Sequence, residues 1–128
     1  MSERTEKNKS VVLGWNELAF VQHQPEAAVA KYLGSHYRQH NPQAADGAEA
    51  FIAFVHRFAG AFPNFRLDVK RVVAEGDLVV MHSHLVREPG ERGVAVVDIF
   101  RLEDGKIVEH WDVLQDVPEK AANNNSMF

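Results

Sequence analysis

The stretch VAVVDIFRLEDGKIVEHWDVL, residues 94–114, decides the fold of this chain. Its two apolar runs are interrupted by polar residues in a pattern with a period of two, which is typical of β-strands. Asp104-Gly105 separates the two runs, and Asp-Gly between apolar segments is a strong signal for a tight hairpin turn. The stretch therefore predicts two antiparallel strands, Val94 to Leu102 and Ile107 to Leu114.

Two further strand-like segments precede this hairpin, and helical segments precede those. Phe65 to Ala74 and Leu78 to Arg87 also repeat their apolar residues at a period of two. Apolar residues at spacings of three and four predict helices over Ser2 to Gln22, Pro25 to Leu33 and Ala48 to Phe62. Residues 37–42 are expected to be extended, because a proline at position 42 disfavours helix before it. Helices followed by antiparallel strands indicate an α+β domain with the helices packed on one face of a sheet.

The size and composition of the chain limit the class of protein to which it can belong. Its 128 residues predict one domain over residues 1–117, followed by a loosely ordered tail over residues 118–128. A formal net charge of −4, without a cluster of Lys and Arg, argues against nucleic-acid binding. The absence of cysteine excludes disulfides and thiol nucleophiles. No apolar run is long enough to span a bilayer and no signal peptide is evident, so we expect a cytoplasmic protein without membrane contact.

Ionisable side chains on the last three predicted strands are the candidate functional residues. His110 and Asp112 share one face of their strand because side chains alternate faces, and His82 and His84 likewise share a face. Asp98 stands alone in the least polar strand. Burying imidazoles and carboxylates among apolar residues is costly, so these groups predict a pocket with a polar floor. Burial there would raise the pKa of Asp98 and suit it to proton transfer near neutral pH.

Two other interpretations of these residues stay open. His82 and His84 are spaced such that, with His110 and Asp112 on a neighbouring strand, they could bind a metal ion. The histidines could instead be structural and form hydrogen bonds within the core. We expect neither a metal nor another cofactor.

The opposite faces of the strands are also apolar, and three helices cannot cover both sides of the sheet. An uncovered apolar face usually marks an interface, so we predict a homodimer through the outer sheet face. The residues expected on that face are Val79, Met81, Leu85, Val97, Ile99, Ile107, Trp111 and Val113.

Four segments together carry a family resemblance: VDIFRLEDGKIVEHWD at 97–112, His40-Asn41-Pro42, EGDLV at 75–79, and the phenylalanine-bearing helix that ends at Pro63. They resemble the SnoaL-like polyketide cyclase family, within the nuclear-transport-factor-2-like superfamily. The resemblance implies a cone-shaped barrel in which a strongly curved, mainly antiparallel sheet wraps around three N-terminal helices. It also implies an enclosed pocket and dimerisation through the sheet.

The same resemblance implies a chemistry. Characterised cyclases of the family close a polyketide ring by an intramolecular aldol reaction without metal or cofactor, using a pocket aspartate as acid and base. Asp98 matches that aspartate, and His84 matches a neighbouring pocket histidine. The additional ionisable groups, His82, His110 and Asp112, favour a smaller and more polar substrate than a flat aromatic polyketide.

We therefore predict a small-molecule enzyme with cofactor-independent acid/base chemistry at a carbonyl compound, as an aldol-type cyclase, isomerase or dehydratase. Asp98 would take a proton next to the carbonyl, His84 or His110 would hydrogen-bond the enolate oxygen, and Asp112 would set the tautomer of the adjacent imidazole. The residues expected to contact the substrate are His40, Asn41, His82, Phe54, Phe58 and Phe100. The alternatives are a non-catalytic binding or dimerisation module and a metal-dependent lyase or hydrolase.

Overall fold

The computed structural model describes residues 2–128, which form three α-helices and a five-stranded sheet. Helix α1 spans Glu3–Asn16 and continues into a π-helical segment, Glu17–Val21, and it is followed by α2, Pro25–Tyr32, and α3, Ala48–Ala61. The strands are β1 Leu33–Gln39, β2 Arg66–Glu75, β3 Leu78–Val86, β4 Val94–Glu103 and β5 Lys106–Asp116. The three predicted helices and the four predicted strands are confirmed, with small differences at their ends.

Local signals account for where the helices begin. The Ser2 hydroxyl accepts a hydrogen bond from the Thr5 N–H at 3.1 Å, which satisfies one of the unpaired donors of the first turn of α1. Pro25 begins α2, where an N–H would have no partner within the helix. The two helices carry Trp15 and Ala28 into the hydrophobic core beneath the sheet.

The strands are arranged in the order β1-β5-β4-β3-β2. All neighbours are antiparallel except β1 and β5, which are parallel. The sheet is curled around the helices but is not closed, so β1 and β2 are its edges. This architecture confirms the predicted α+β class. The face that packs against the helices is called the inner face below, and the other is called the outer face.

Strand β1 was not predicted as a member of the sheet, although residues 37–42 were expected to be extended. It lies at the edge and pairs with β5, a strand far later in the chain: Gln39 is opposite His110, 71 positions on. A crossover pairing between parallel strands leaves no local turn signal in the sequence. The addition of β1 matters because it brings Tyr37 and Gln39 to the site described below.

The prediction of which face of β3 meets the core is wrong. Met81 lies directly opposite Asp98 on β4, whereas His82 lies opposite Val97 and His84 opposite Ala95. Directly opposed residues project from the same side of a sheet. The inner face of β3 therefore carries Val79, Met81 and Leu85, which had been expected outside, and its outer face carries the two histidines.

Ile107 was also expected on the outer face, and a β-bulge places it inside. Arg101 is opposite Glu109, but the next residue, Leu102, is opposite Ile107, so Val108 is an extra residue in β5. An extra residue reverses the alternation of the strand beyond it. Ile107 is consequently fully buried in the core.

The outer face keeps part of its predicted apolar character. Val97 and Ile99 on β4 lie opposite Val113 and Trp111 on β5, and Val113 is 68% exposed. Residues 118–128 form neither helix nor strand, and the ring of Phe128 stacks on that of His84 with 4.2 Å between centroids. Among the described residues, no helix combines the length and the apolar character needed to cross a membrane.

Candidate active site

A cavity of about 220 Å³ lies between the helices and the inner face of the sheet. Most of its walls are aromatic or aliphatic. Its lining residues include Trp15, Phe20, Tyr37, Phe51, Phe54, Phe58, Leu67, Met81, Leu85, Val96, Phe100 and Leu114, together with the polar residues Asn16, Gln39, Asn41, Gln43, Asp98, His110 and Asp112. Seven of the ten predicted site residues are thus at the cavity: Asn41, Phe54, Phe58, Asp98, Phe100, His110 and Asp112.

Asp98 and His110 form a buried pair on neighbouring strands, with only 6% and 8% of their surfaces exposed. Asp98 Oδ1 lies 2.7 Å from His110 Nε2. The second carboxyl oxygen, Asp98 Oδ2, is buried and has no hydrogen-bond partner among residues 2–128. Asp98 therefore uses one oxygen to contact His110 and has the other available for a ligand.

Burial controls the acid strength of Asp98. Removal from water is the largest effect and raises the pKa of the Asp98 carboxyl, and the charge of Asp112, directly opposite in the sheet, also raises it. The hydrogen bond and the charge of His110 act in the opposite direction without cancelling the effect of burial. The direction of the shift agrees with the one expected for a carboxyl in an apolar strand.

Gln39, on β1, determines the tautomer of His110. The backbone N–H of Asn41 donates to Gln39 Oε1 at 3.0 Å, so the oxygen of the Gln39 amide faces this region. The same oxygen lies 2.8 Å from His110 Nδ1. Because an amide oxygen only accepts, Nδ1 must carry the hydrogen. One proton is then left to share between His110 Nε2 and Asp98 Oδ1.

Asp112 is held by Asn41 rather than by an imidazole. The Asn41 side-chain amide donates to both carboxylate oxygens, at 3.1 and 3.0 Å. The orientation of this amide is fixed because Asn41 Oδ1 accepts from the Gln43 N–H at 2.8 Å. The predicted role of Asp112, setting the tautomer of an adjacent imidazole, is therefore filled by Gln39. Asp112 instead presents a negative charge to the cavity.

His82 and His84 do not reach this site, so their predicted places in the pocket are wrong. Both lie on the outer face, for the reason of register given above. His82 Nδ1 contacts the Arg71 guanidinium, and His84 Nε2 donates to the backbone carbonyl of Arg92 at 2.7 Å. The rings of both histidines stack on Phe128.

His40 also lies outside the cavity, contrary to its predicted role in substrate binding. Its ring stacks on Trp111 with 4.7 Å between centroids, and its Nε2 lies 2.7 Å from Glu109 Oε2. The adjacent residue, Asn41, points the opposite way and reaches Asp112. Alternation of side chains at the end of β1 separates these two neighbours.

Tyr37 and Gln39, both on β1, are two of the polar cavity residues that sequence reasoning missed; Asn16 and Gln43 are the others. Tyr37 and Gln39 are spaced two apart and are followed, again two positions on, by Asn41, so the three share one face of an extended segment. Asn41 had been identified as a candidate. The period-two pattern Tyr37-x-Gln39-x-Asn41 was therefore the signal that could have found the other two.

Asp98, His110 and Asp112 are also the described residues that could hold a metal ion, since one ligand atom from each lies within 4.8 Å of the others. The metal site considered from the sequence, which combined His82 and His84 with His110 and Asp112, is wrong. The two pairs of residues lie on opposite faces of the sheet.

Comparison with solved structures shows the same fold in several proteins. TsrD from Streptomyces laurentii is 24% identical, with a TM-score of 0.71 over 89% of this chain and 90% of that one. A proposed SnoaL-like polyketide cyclase from Jannaschia Sp. CCS1 is 24% identical, with a TM-score of 0.72 over 89% of each chain. A proposed ketosteroid isomerase from Kribbella flavida DSM 17836 is 19% identical, with a TM-score of 0.73 over 93% of this chain and 85% of that one.

Identities this low demonstrate a shared fold only. A search of the curated proteins found no significant match. The sequence profile of the SnoaL-like domain, however, matches residues 12–110, which is most of the chain and includes both Asp98 and His110. This match confirms the resemblance seen in the hairpin sequence. The chain belongs to the SnoaL-like domain family.

Proposed function

We propose that this protein catalyses proton transfer at the carbon next to a carbonyl group of a small molecule, without a cofactor. The reaction would be an aldol-type cyclisation, an isomerisation or a dehydration. The observation that carries the proposal is the buried pair of Asp98 and His110, 2.7 Å apart in a largely apolar cavity. The names of similar structures, polyketide cyclase and ketosteroid isomerase, support chemistry of this kind.

The pair can take up a proton from a substrate without any other group. It holds one shared proton between His110 Nε2 and Asp98 Oδ1, and Asp98 Oδ2 is left without a partner among the described residues. When Oδ2 accepts the substrate proton, the pair gains one positive charge as the substrate becomes an enolate. The imidazolium form of His110 then offsets the new negative charge, and the raised pKa of Asp98 makes its carboxylate a stronger base.

The charges at the cavity limit the substrate class. Two carboxylates, Asp98 and Asp112, line the cavity, whereas no lysine or arginine does so among residues 2–128. An anionic substrate would be repelled by Asp112, whose charge no shared proton offsets, and would find no fixed cation. We therefore propose an uncharged ketone, aldehyde or ester, with its flat or apolar part against the aromatic walls.

The test is exchange of carbon-bound hydrogen. Uncharged aryl ketones such as 1-tetralone, incubated with the protein in D2O, are expected to lose their α-protons faster than in buffer or with heat-denatured protein, as followed by proton NMR. Binding of these ketones without any acceleration would contradict the proposal and would favour the non-catalytic binding module.

A metal-dependent reaction is the second candidate, because ligand atoms of Asp98, His110 and Asp112 lie within 4.8 Å of one another. Dialysis against EDTA separates the two candidates. Exchange at an undiminished rate after dialysis supports the metal-free reaction. Loss of exchange after dialysis, with recovery on addition of a divalent cation, would support the metal-dependent one instead.

We also propose that the protein is a homodimer through its outer sheet face. Val73 and Val113 on this face are 59% and 68% exposed, although both are apolar. Sedimentation equilibrium is expected to give twice the 14.4 kDa mass of the chain, and Val113→Lys is expected to shift the population toward monomer. A monomeric wild-type protein at micromolar concentration would contradict this prediction.

A further inference from the structure

The hydroxyl group of Tyr37 is an unused hydrogen-bond donor at the cavity. Tyr37 lies on β1, is 4% exposed and lines the same cavity as Asp98 and His110. Its oxygen accepts a hydrogen bond from Gln39 Nε2 at 3.2 Å. Among residues 2–128, nothing accepts a hydrogen bond from the Tyr37 hydroxyl.

The direction of the Tyr37–Gln39 hydrogen bond is determined by the other contacts of the Gln39 amide. The amide oxygen faces the N–H of Asn41 and Nδ1 of His110, so the amide NH2 must face the phenol. An NH2 group can only donate, and the phenol oxygen is therefore the acceptor. The hydrogen of the Tyr37 hydroxyl must point elsewhere. The same amide thus fixes both the tautomer of His110 and the donor role of Tyr37.

On the basis of the proposed function, we propose that Tyr37 is a second catalytic residue, whose hydroxyl donates a hydrogen bond to the carbonyl oxygen of the substrate. When Asp98 Oδ2 removes the α-proton, the electrons of the C–H bond form the new C=C bond and the carbonyl oxygen takes the negative charge. Tyr37 keeps its proton throughout, and its hydrogen bond strengthens as the charge develops. A donor placed in advance at this oxygen lowers the barrier because little reorganisation is needed.

The surroundings of Tyr37 keep it in the donor form. Burial is the largest effect and raises the pKa of its phenol, and the negative charges of Asp98 and Asp112 also raise it. The hydrogen bond from Gln39 lowers it without offsetting the burial. Tyr37 is thus expected to act as a neutral donor at neutral pH.

A conservative variant tests this role, since Tyr37→Phe removes only the hydroxyl. The ring would keep its contacts with Trp15 and Phe51, whose centroids each lie 6.2 Å away. The chain has two tyrosines, and the other, Tyr32, does not line the cavity. Tyr32→Phe is therefore the matched control.

Two measurements with 1-tetralone, labelled with ¹³C at the carbonyl, decide the question. The α-proton exchange rate at saturation is expected to fall about 10²–10³-fold in Tyr37→Phe, as for loss of one oxyanion donor, and to be unchanged in Tyr32→Phe. The carbonyl ¹³C resonance of the bound ketone is expected to move downfield in the wild-type protein and in Tyr32→Phe. In Tyr37→Phe most of that shift should be lost.

The two measurements separate this proposal from the proposed function. A carbonyl resonance that is equally shifted in Tyr37→Phe, or not shifted by the wild-type protein, overturns the role of Tyr37 whatever the exchange rates are. Absence of exchange in the wild-type protein overturns the proposed function, while a Tyr37-dependent shift still supports the hydrogen bond to the ligand.

Discussion

Asparagine in place of Asp98 is expected to slow α-proton exchange about 10²–10⁴-fold, while 1-tetralone still binds. The substitution removes the carboxylate that would accept the proton but hardly changes its shape. Because the hydrogen of His110 is fixed on Nδ1 by Gln39, Nε2 is free to accept, and the amide that replaces the carboxylate can donate to it in place of the 2.7 Å contact. The fold and the cavity should therefore survive, and the loss should appear in the rate at saturation. Binding is measured separately, by NMR titration.

His84→Asn is the matched comparison, because the family resemblance assigned His84 to the pocket and the structure places it on the outer face. Exchange by this variant should equal that of the wild-type protein. An equal loss of exchange rate in Asp98→Asn and His84→Asn would show that the placement of Asp98 on the inner face and His84 on the outer face is wrong. Full activity in Asp98→Asn would remove Asp98 as the base.

The second large effect concerns stability. His110→Phe is expected to lower the free energy of unfolding at neutral pH by about 3–5 kcal/mol, because it leaves a buried carboxyl without its partner. Phenylalanine preserves the ring contact that His110 makes with Phe100, at 4.9 Å between centroids, so the loss reflects the hydrogen bonds of His110 to Asp98 and Gln39 rather than packing. Urea denaturation of the wild-type protein and of His110→Phe measures this difference in the free energy of unfolding.

This destabilisation should depend on pH in a defined direction. Burial raises the pKa of Asp98, and in the variant the opposing effect of His110 is gone. The folded state then binds the Asp98 proton more tightly than the unfolded state does. The contribution of Asp98 to the stability of the variant is consequently most favourable below the ordinary pKa of an aspartate, and it is lost as pH rises through the raised pKa of the folded state.

The double variant Asp98→Leu/His110→Phe supplies the control, since it removes both members of the pair. It should recover much of the stability lost in His110→Phe and should show no such pH dependence. A double variant as unstable as His110→Phe would indicate that the cost arises from altered packing and not from an unpaired carboxyl.

The sequence alone was sufficient for most of the secondary structure and for half of the polar site. Asp98, His110 and Asp112 lie in one hairpin, whose existence the Asp104-Gly105 turn predicts. Strand alternation places His110 and Asp112 on one face of β5, and the β-bulge at Val108 brings Asp98 opposite Asp112 on that same face. The phenylalanines of α3 followed from helical periodicity in the same way, and Phe54 and Phe58 do line the cavity.

Only the tertiary structure decided which face of β3 meets the helices and which strand completes the site. Residues 87–93 join β3 to β4 as an irregular loop, and both faces of β3 carry enough apolar residues to be buried, so its alternation fits either orientation. The parallel pairing of β1 with β5 joins segments distant in the chain, and it alone brings Tyr37 and Gln39 to His110. Contacts within a hairpin are encoded locally, whereas these depend on the packing of the whole domain.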